Sequence, residues 1–327
     1  MSSANDTILY IARLQYISGQ ITMYMSIIIY AFGVIGNVLN LLVFGQQSLR
    51  SQPCVVYFLL VSILNLTIIF AGVTPRALQS FFLFMDRTET VSVLCKLRIV
   101  SIFVMRTIAS WLLALASVDR YLISSRNAHL RQMSNMKNAF ILISIISIIS
   151  LLVWVESIYC FDANLVGTPQ KCYAKSDACR TFNDLTQSII TTIIPSTVML
   201  IIGLFTIRNI QQVQRVGPSS IDTSTGNTRR NRKDEKSLTL MLFAQIMLLT
   251  IFTLPQAGQK FYLTYSFYKP KTSSQRALES LIFNFVLLLT YAPNCIAFYL
   301  FTLTGTLFRA TLFKLLKDGI QHLNCFH

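Results

Sequence analysis

Seven long apolar runs set the pattern of the chain, near residues 21–45, 53–77, 93–124, 137–160, 184–208, 236–262 and 278–303, with short polar gaps between them. An α-helix needs about 20 apolar residues to cross the hydrocarbon core of a bilayer, and every run reaches that length. Most are apolar on all sides, as lipid-embedded helices are. The fourth, from Ala139 to Trp154, is an almost unbroken series of Ile, Leu, Ser and Val. No run alternates with period two, and all are too long for membrane β-strands. The pattern predicts an all-α membrane protein built as a seven-transmembrane helix bundle.

Prolines punctuate four of the runs, at Pro75, Pro195, Pro255 and Pro293. A proline inside a helix costs ~3 kcal/mol in water. In a bundle, neighbouring helices and Ser/Thr side chains take up the freed carbonyls, so these prolines read as kinks, with outright helix breaks the alternative. After Gly305, residues Thr306 to Lys317 set Leu307, Phe308, Leu312, Leu315 and Leu316 against Arg309, Lys314 and Lys317. That spacing predicts a short amphipathic surface helix after the seventh span. Cys325 beyond it is either a palmitoylation site or a plain thiol.

Composition supports a lipid environment. Of the 327 residues, 53% are hydrophobic and 13% charged, and the mean hydropathy is +0.56, whereas soluble domains carry about 25% charged residues. The net charge of +15 falls mostly in the gaps between spans, which fits membrane topology and not nucleic-acid binding. The seven cysteines, Cys54, Cys95, Cys160, Cys172, Cys179, Cys295 and Cys325, form no CxxC pair and no Cys/His ligand spacing, so neither a metal nor a cofactor is expected. Three of them share one loop, which fits an oxidising compartment. The histidines, His129, His322 and His327, lie outside the spans, and no hydrolase or P-loop motif is present; no enzyme activity is expected.

Basic residues orient the bundle. Arg208, Arg215, Arg229, Arg230, Arg232, Lys233 and Lys236 crowd the gap between the fifth and sixth runs, which makes that gap cytoplasmic and leaves the N-terminus outside. Asn5-Asp6-Thr7 then offers an extracellular glycosylation site at Asn5, whereas Asn65-Leu66-Thr67 lies within the second span. The expected organisation is an extracellular tail over 1–20, a membrane domain over 21–303 with a basic third cytoplasmic loop over 209–235, and an amphipathic helix and tail over 304–327. No cleavable signal is evident, so the first span is expected to direct insertion into the plasma membrane.

Asp119-Arg120-Tyr121 ends the third run, and Cys95 lies one membrane thickness before it. With Gly36-Asn37, Pro195, Pro255 and Phe308-Arg309, these residues make nearly the whole chain resemble the rhodopsin-like (class A) G-protein-coupled receptors. The resemblance implies an extracellular ligand, a heterotrimeric G protein and membrane lipid as partners. It implies that Asp119 holds Arg120 at rest, that Arg120 meets the G protein on activation, and that Glu235 is the acidic partner of Arg120 at the base of helix six. It also implies a disulfide from Cys95 to the second outer loop. Cys172 is the preferred partner and Cys179 the competitor, unless Cys179 joins Cys160. Several positions depart from the family. Asn65 stands where an Asp usually binds sodium, Thr253 replaces the helix-six Trp, and Gly203 lies about where helix five has a Tyr. Ala297-Phe298-Tyr299-Leu300-Phe301 occupies the place of NPxxY, and helix four lacks its mid-helix Trp unless Trp154 stands in.

The third run has no acid between Cys95 and Asp119, which disfavours amine ligands, and the seventh has no Lys for a retinal Schiff base. Arg106, in the middle of a span, is costly there unless paired. With Arg76, Gln256 and Gln259, and with Lys96, Arg98 and Lys260 nearby, it outlines a basic pocket for a ligand with an anionic or carbonyl-rich group. A short neuropeptide is the first expectation. Internal pairing of Arg106 with Glu156 is the structural alternative. The rival class is a seven-helix transporter or channel, which would favour paired intramembrane charges and internal repeats.

Overall fold

The computed structural model describes the backbone of residues 2–82, 87–166, 168, 170–215, 226–266 and 269–324; the side chains of 2–4, 48, 79–82, 210–236 and 318–324 fall outside the description. Seven helical stretches among these residues are long and apolar enough to cross a bilayer. They are α1 (Ser2–Phe44), α2 (Pro53–Phe82), α3 (Ser92–Ser124), α4 (Met136–Trp154), α5 (Asp177–Thr186, continued through Gln187–Ile193 and Ile194–Arg215), α6 (Gly226–Tyr265) and α7 (Ser273–Leu289, resumed as Ala292–Thr304). A final helix, α8 (Thr306–Asn324), follows Gly305. The exposed face of α4 explains the solvent: Ile141, Ile145, Ile148 and Leu152 recur at helical spacing and are all exposed. A stripe of that kind needs lipid against it.

Several helices outrun their apolar runs. The expected tail over 1–20 is helical from Ser2 and continuous with the first span, because neither a proline nor a capping turn separates Ile8-Leu9-Tyr10-Ile11 from the run that follows. The fifth helix starts at Asp177, not near 184, where the Ser176 hydroxyl caps the Cys179 N–H. The seventh starts at Ser273 behind a capping box formed by Thr272 and Gln275, whose reciprocal bonds satisfy two end groups.

The prolines act in different ways. Pro75 and Pro255 lie inside continuous helices. Pro293 instead opens the second half of α7, after a break at Thr290 and Tyr291; with no N–H, it cannot bond the Leu289 carbonyl. At Pro195 the helix widens into a π-helical turn over Gln187–Ile193. Pro195 leaves the Thr191 carbonyl without a donor, and the Ile194 N–H reaches back to Ile189, which strands the Ile190 carbonyl as well. Helix α3 supplies both missing donors: the Ser110 hydroxyl donates to Thr191 O at 2.8 Å and the Trp111 indole to Ile190 O at 3.1 Å. Trp154 closes the junction by donating to the Thr107 hydroxyl, which also pairs with the Thr191 hydroxyl.

One end of the bundle is stapled. Strands β1 (Phe161–Asp162) and β2 (Tyr173–Ala174) pair antiparallel, with Phe161 opposite Ala174. Cys95 is bonded to Cys172 and Cys160 to Cys179, so the hairpin is tied to the start of α3 and to α5. Asn164, at φ 59°, turns the connecting loop and bonds Glu89 O and Thr90 O; Asn tolerates that left-handed backbone better than most residues. At the other end, Phe308 of α8 is 1% exposed and packs edge-on against Phe44, Phe298 and Phe301, which anchors the amphipathic helix.

Ser110→Ala is expected to cost about 1–3 kcal/mol, because it leaves a buried carbonyl without a donor. The cost should shrink in a Pro195→Ala background, where residue 195 regains an N–H aimed at Thr191 O. Thermal unfolding of the four proteins measures the coupling, and equal costs in both backgrounds would show that the hydroxyl does not replace the missing donor.

Candidate functional site

One face of α3 lines three cavities of the bundle. Ile99, Ile102, Phe103 and Arg106 border a cavity at the disulfide end. Arg106, Ala109, Ser110 and Leu113 border a second cavity below it, and Ser117 and Arg120 border a third. The steps of three and four residues keep these side chains on one helical stripe.

The first cavity is roofed by Cys172, Tyr173 and Ala174 of the hairpin. Arg76, Arg98, Arg106, Arg180 and Lys260 face Glu89 and Asp184 across it, five cations against two carboxylates. Lys260 and Asp184 form a buried ion pair at 2.5 Å. Arg98 spans Thr88 and the Gly72 carbonyl, and Arg76 donates to Asn284 at 3.5 Å. Arg106 stacks over the Tyr291 ring at 4.5 Å, while its Nε and Nη2 have no hydrogen-bond partner among the described residues. Tyr291, at the break in α7, presses its hydroxyl onto Gly72: a Cβ there would lie 2.0 Å from it. The Tyr173 hydroxyl, Gln187 Oε1 and Asp184 Oδ2 also lack partners among the described residues. Burial pushes the Tyr173 phenol up, so it stays a hydrogen-bond donor.

The second cavity shares Arg106, Gln187 and Gln256 with the first and is lined largely by amides and hydroxyls, among them Asn65, Ser110, Gln245, Thr253, Thr290 and Asn294. No carboxylate is among its lining residues. Asn65 instead donates to Asn37, which bonds the Gly33 and Asn294 carbonyls.

At the far end of α3, Asp119 and Arg120 are buried and paired at 2.7 Å. The Ser134 hydroxyl donates to the other Asp119 oxygen, and the Cys54 thiol lies against Arg120. A small cavity adjoins Arg120 between α3, α5 and α6. Tyr121 packs on Phe205.

Residues 36–297 match the 7 transmembrane receptor (rhodopsin family). The chain belongs to that family. No curated protein matches the chain. The receptor's polar interior and the Asp119-Arg120 pair lie on the stripe that this family membership leads one to examine. Its departures from the family also have a physical setting. The Phe243 ring lies 3.5 Å from where a Cβ on Gly203 would be, and Thr253 bonds its own helix at Leu249 O. Trp154 is fully buried, its ring tilted against Phe103 at 4.5 Å between centroids. Phe301, in the place of the NPxxY tyrosine, lies in the aromatic cluster around Phe308.

The sequence-predicted residues divide. Arg76, Arg106 and Gln256 line the first cavity together with Arg98 and Lys260. Gln259 and Lys96 line none of the three cavities: Thr253, Gln256 and Lys260 share one face of α6, and Gln259 is on its flank. Arg106 is not paired with Glu156, whose carboxylate accepts from Ser157 and Asn183 instead. Asn5 is exposed on α1. The Glu235 side chain lies outside the described residues, as does Cys325. Asp184 and Tyr291 were not foreseen. An acid at the border of an apolar run was the available signal for Asp184; nothing local marks Tyr291.

Removing one member of a buried ion pair costs about 3–5 kcal/mol, whereas replacing both by apolar groups is often neutral. Lys260→Met is therefore expected to lower the unfolding temperature of the receptor strongly, and Lys260→Met with Asp184→Leu to restore most of it. Additive losses in the double variant would mean that the pair is not coupled.

Proposed function

We propose that the chain is a plasma-membrane receptor that binds a short peptide in the disulfide-end cavity and passes the signal to a heterotrimeric G protein at the Arg120 end. The disulfides support placing the cavity outside the cell, with the N-terminus and its Asn5 sequon on the same side. What carries the peptide reading is the mixture of unsatisfied groups in the cavity: Arg106 and Tyr173 offer donors, while Gln187 Oε1 and Asp184 Oδ2 offer acceptors. Buried polar groups call for partners, and a peptide backbone brings both kinds. Arg76, Arg106 and Gln256 are the proposed ligand contacts, with Gln259 at most a flanking one.

Activation is a population shift, so the ligand must bind one state better than the other. The stack of Arg106 on Tyr291 joins the cavity to the break in α7, and the stripe on α3 joins it to Arg120. At rest Asp119 restrains Arg120 and Glu235 completes the restraint from α6. In the active state α6 moves outward, the cavity beside Arg120 widens, and Arg120 and Tyr121 meet the G protein.

Cells expressing the receptor and a G-protein dissociation reporter, challenged with a short-peptide library, test this reading. At least one peptide is expected to evoke dissociation, and Arg120→Ala should reduce that response to background with surface expression unchanged. A ligand-gated current or substrate flux without dissociation would favour the transporter or channel class instead.

A further inference from the structure

We infer that the floor of the disulfide-end cavity is a carboxylate subsite, in which Arg106 takes the free carboxylate of the ligand. The inference rests on the receptor reading above and narrows its ligand to one that carries an anionic end.

The geometry of Arg106 is specific. Its guanidinium carbon lies over the Tyr291 ring, 4.5 Å from the centroid, and that contact uses none of its N–H bonds. The nitrogens without a hydrogen bond among the described residues are Nε and Nη2, the pair whose N–H bonds run parallel along one edge. Two parallel donors match the two oxygens of a carboxylate in a bidentate, charge-assisted contact. Tyr291 is a fixed plate for this edge, because it is 2% exposed and seated on Gly72.

Among the described residues no carboxylate forms an ion pair with Arg106, although Glu89 and Asp184 line the same cavity. Asp184 is engaged by Lys260, Glu156 by Ser157 and Asn183, and the cavity below Arg106 has no carboxylate in its lining. A guanidinium in a low-dielectric interior is costly while it is unpaired, so an entering carboxylate gains both the bidentate contact and the relief of that cost. The excess of three positive charges around the cavity draws anions toward it. One planar fork flanked by the amides of Gln187 and Gln256 suits a planar monoanion. A tetrahedral phosphate would want more charged donors at the same point.

The test uses the purified full chain in lipid nanodiscs, with hippurate as a carboxylate probe, and hippuric amide and inorganic phosphate as controls. Hippurate is expected to raise the unfolding temperature, with a roughly tenfold or greater preference over its amide in apparent Kd. Arg106→Gln should erase that preference, and Arg106→Lys should retain part of it. Should Arg106→Gln fail to fold, Gln256→Glu places a competing carboxylate in the same floor and should erase the preference too. Equal shifts with acid and amide, no shift with hippurate, a preference that survives both substitutions, or an equal shift with phosphate would each overturn the subsite. The assay needs no G protein, so an acid preference in a chain that never dissociates a G protein would defeat the receptor reading and leave the subsite standing.

Discussion

Hydrocarbon offers no hydrogen bonds, so every backbone polar group carried into the bilayer must find its partner within the protein. That constraint is visible wherever the helices depart from regularity. Pro195 and the π-helical turn before it strand two carbonyls, and α3 answers them with Ser110 and Trp111. The break before Pro293 is capped by Thr290 on Leu287 O, and the Asn294 carbonyl just beyond it accepts from Asn37. The Gly72 carbonyl of α2 accepts from Arg98 of α3. Each irregularity thus fixes one helix against another, and the positions of the cavities follow from those fixed contacts.

Helix α3 is the element to which these contacts converge. Its stripe from Ile99 to Arg120 borders all three cavities, and at 1.5 Å per residue the rise from Arg106 to Arg120 is about 21 Å. Arg106 and Arg120 are therefore joined by one stiff rod rather than through loops. The Cys95–Cys172 bond holds the far end of that rod to the hairpin roof. Small displacements at the roof thereby act on the same helix that presents Arg120.

Much of this was legible in the sequence, for a physical reason. Membrane spans are written in composition, so the seven apolar runs, the amphipathic segment after Gly305 and the central Arg106 could be read without coordinates. Helix ends were not, since polar residues such as those before Gln20 extend a helix as readily as they end it. Asp119 and Arg120 stood out because Asp119-Arg120-Tyr121 ends the third run one membrane thickness after Cys95, which is where the family resemblance lies. Tyr291 did not, because its role depends on Gly72 of α2 and Arg106 of α3 meeting it in space. Gln259 was misplaced by one residue of helical phase: Lys260, next in sequence, turns into the cavity. Glu156 was a plausible partner for Arg106 by charge alone, but the side chains of Ser157 and Asn183 reach it first.

The family departures form one electrostatic pattern when taken together. Asn65 removes a carboxylate from the heart of α2, and the amides of Asn37 and Asn65 bond each other without needing a cation between them. A sodium ion in the second cavity would meet the Arg106 guanidinium and no carboxylate among the lining residues, so the field there repels cations. Thr253, in place of a bulky Trp, satisfies its hydroxyl on Leu249 O and leaves the passage between the two cavities to Arg106, Gln187 and Gln256. The charge at the centre of this bundle has changed sign relative to the family pattern. A bound cation and the Arg106 charge are alternatives in that core, because either charge in that low-dielectric space raises the cost of the other.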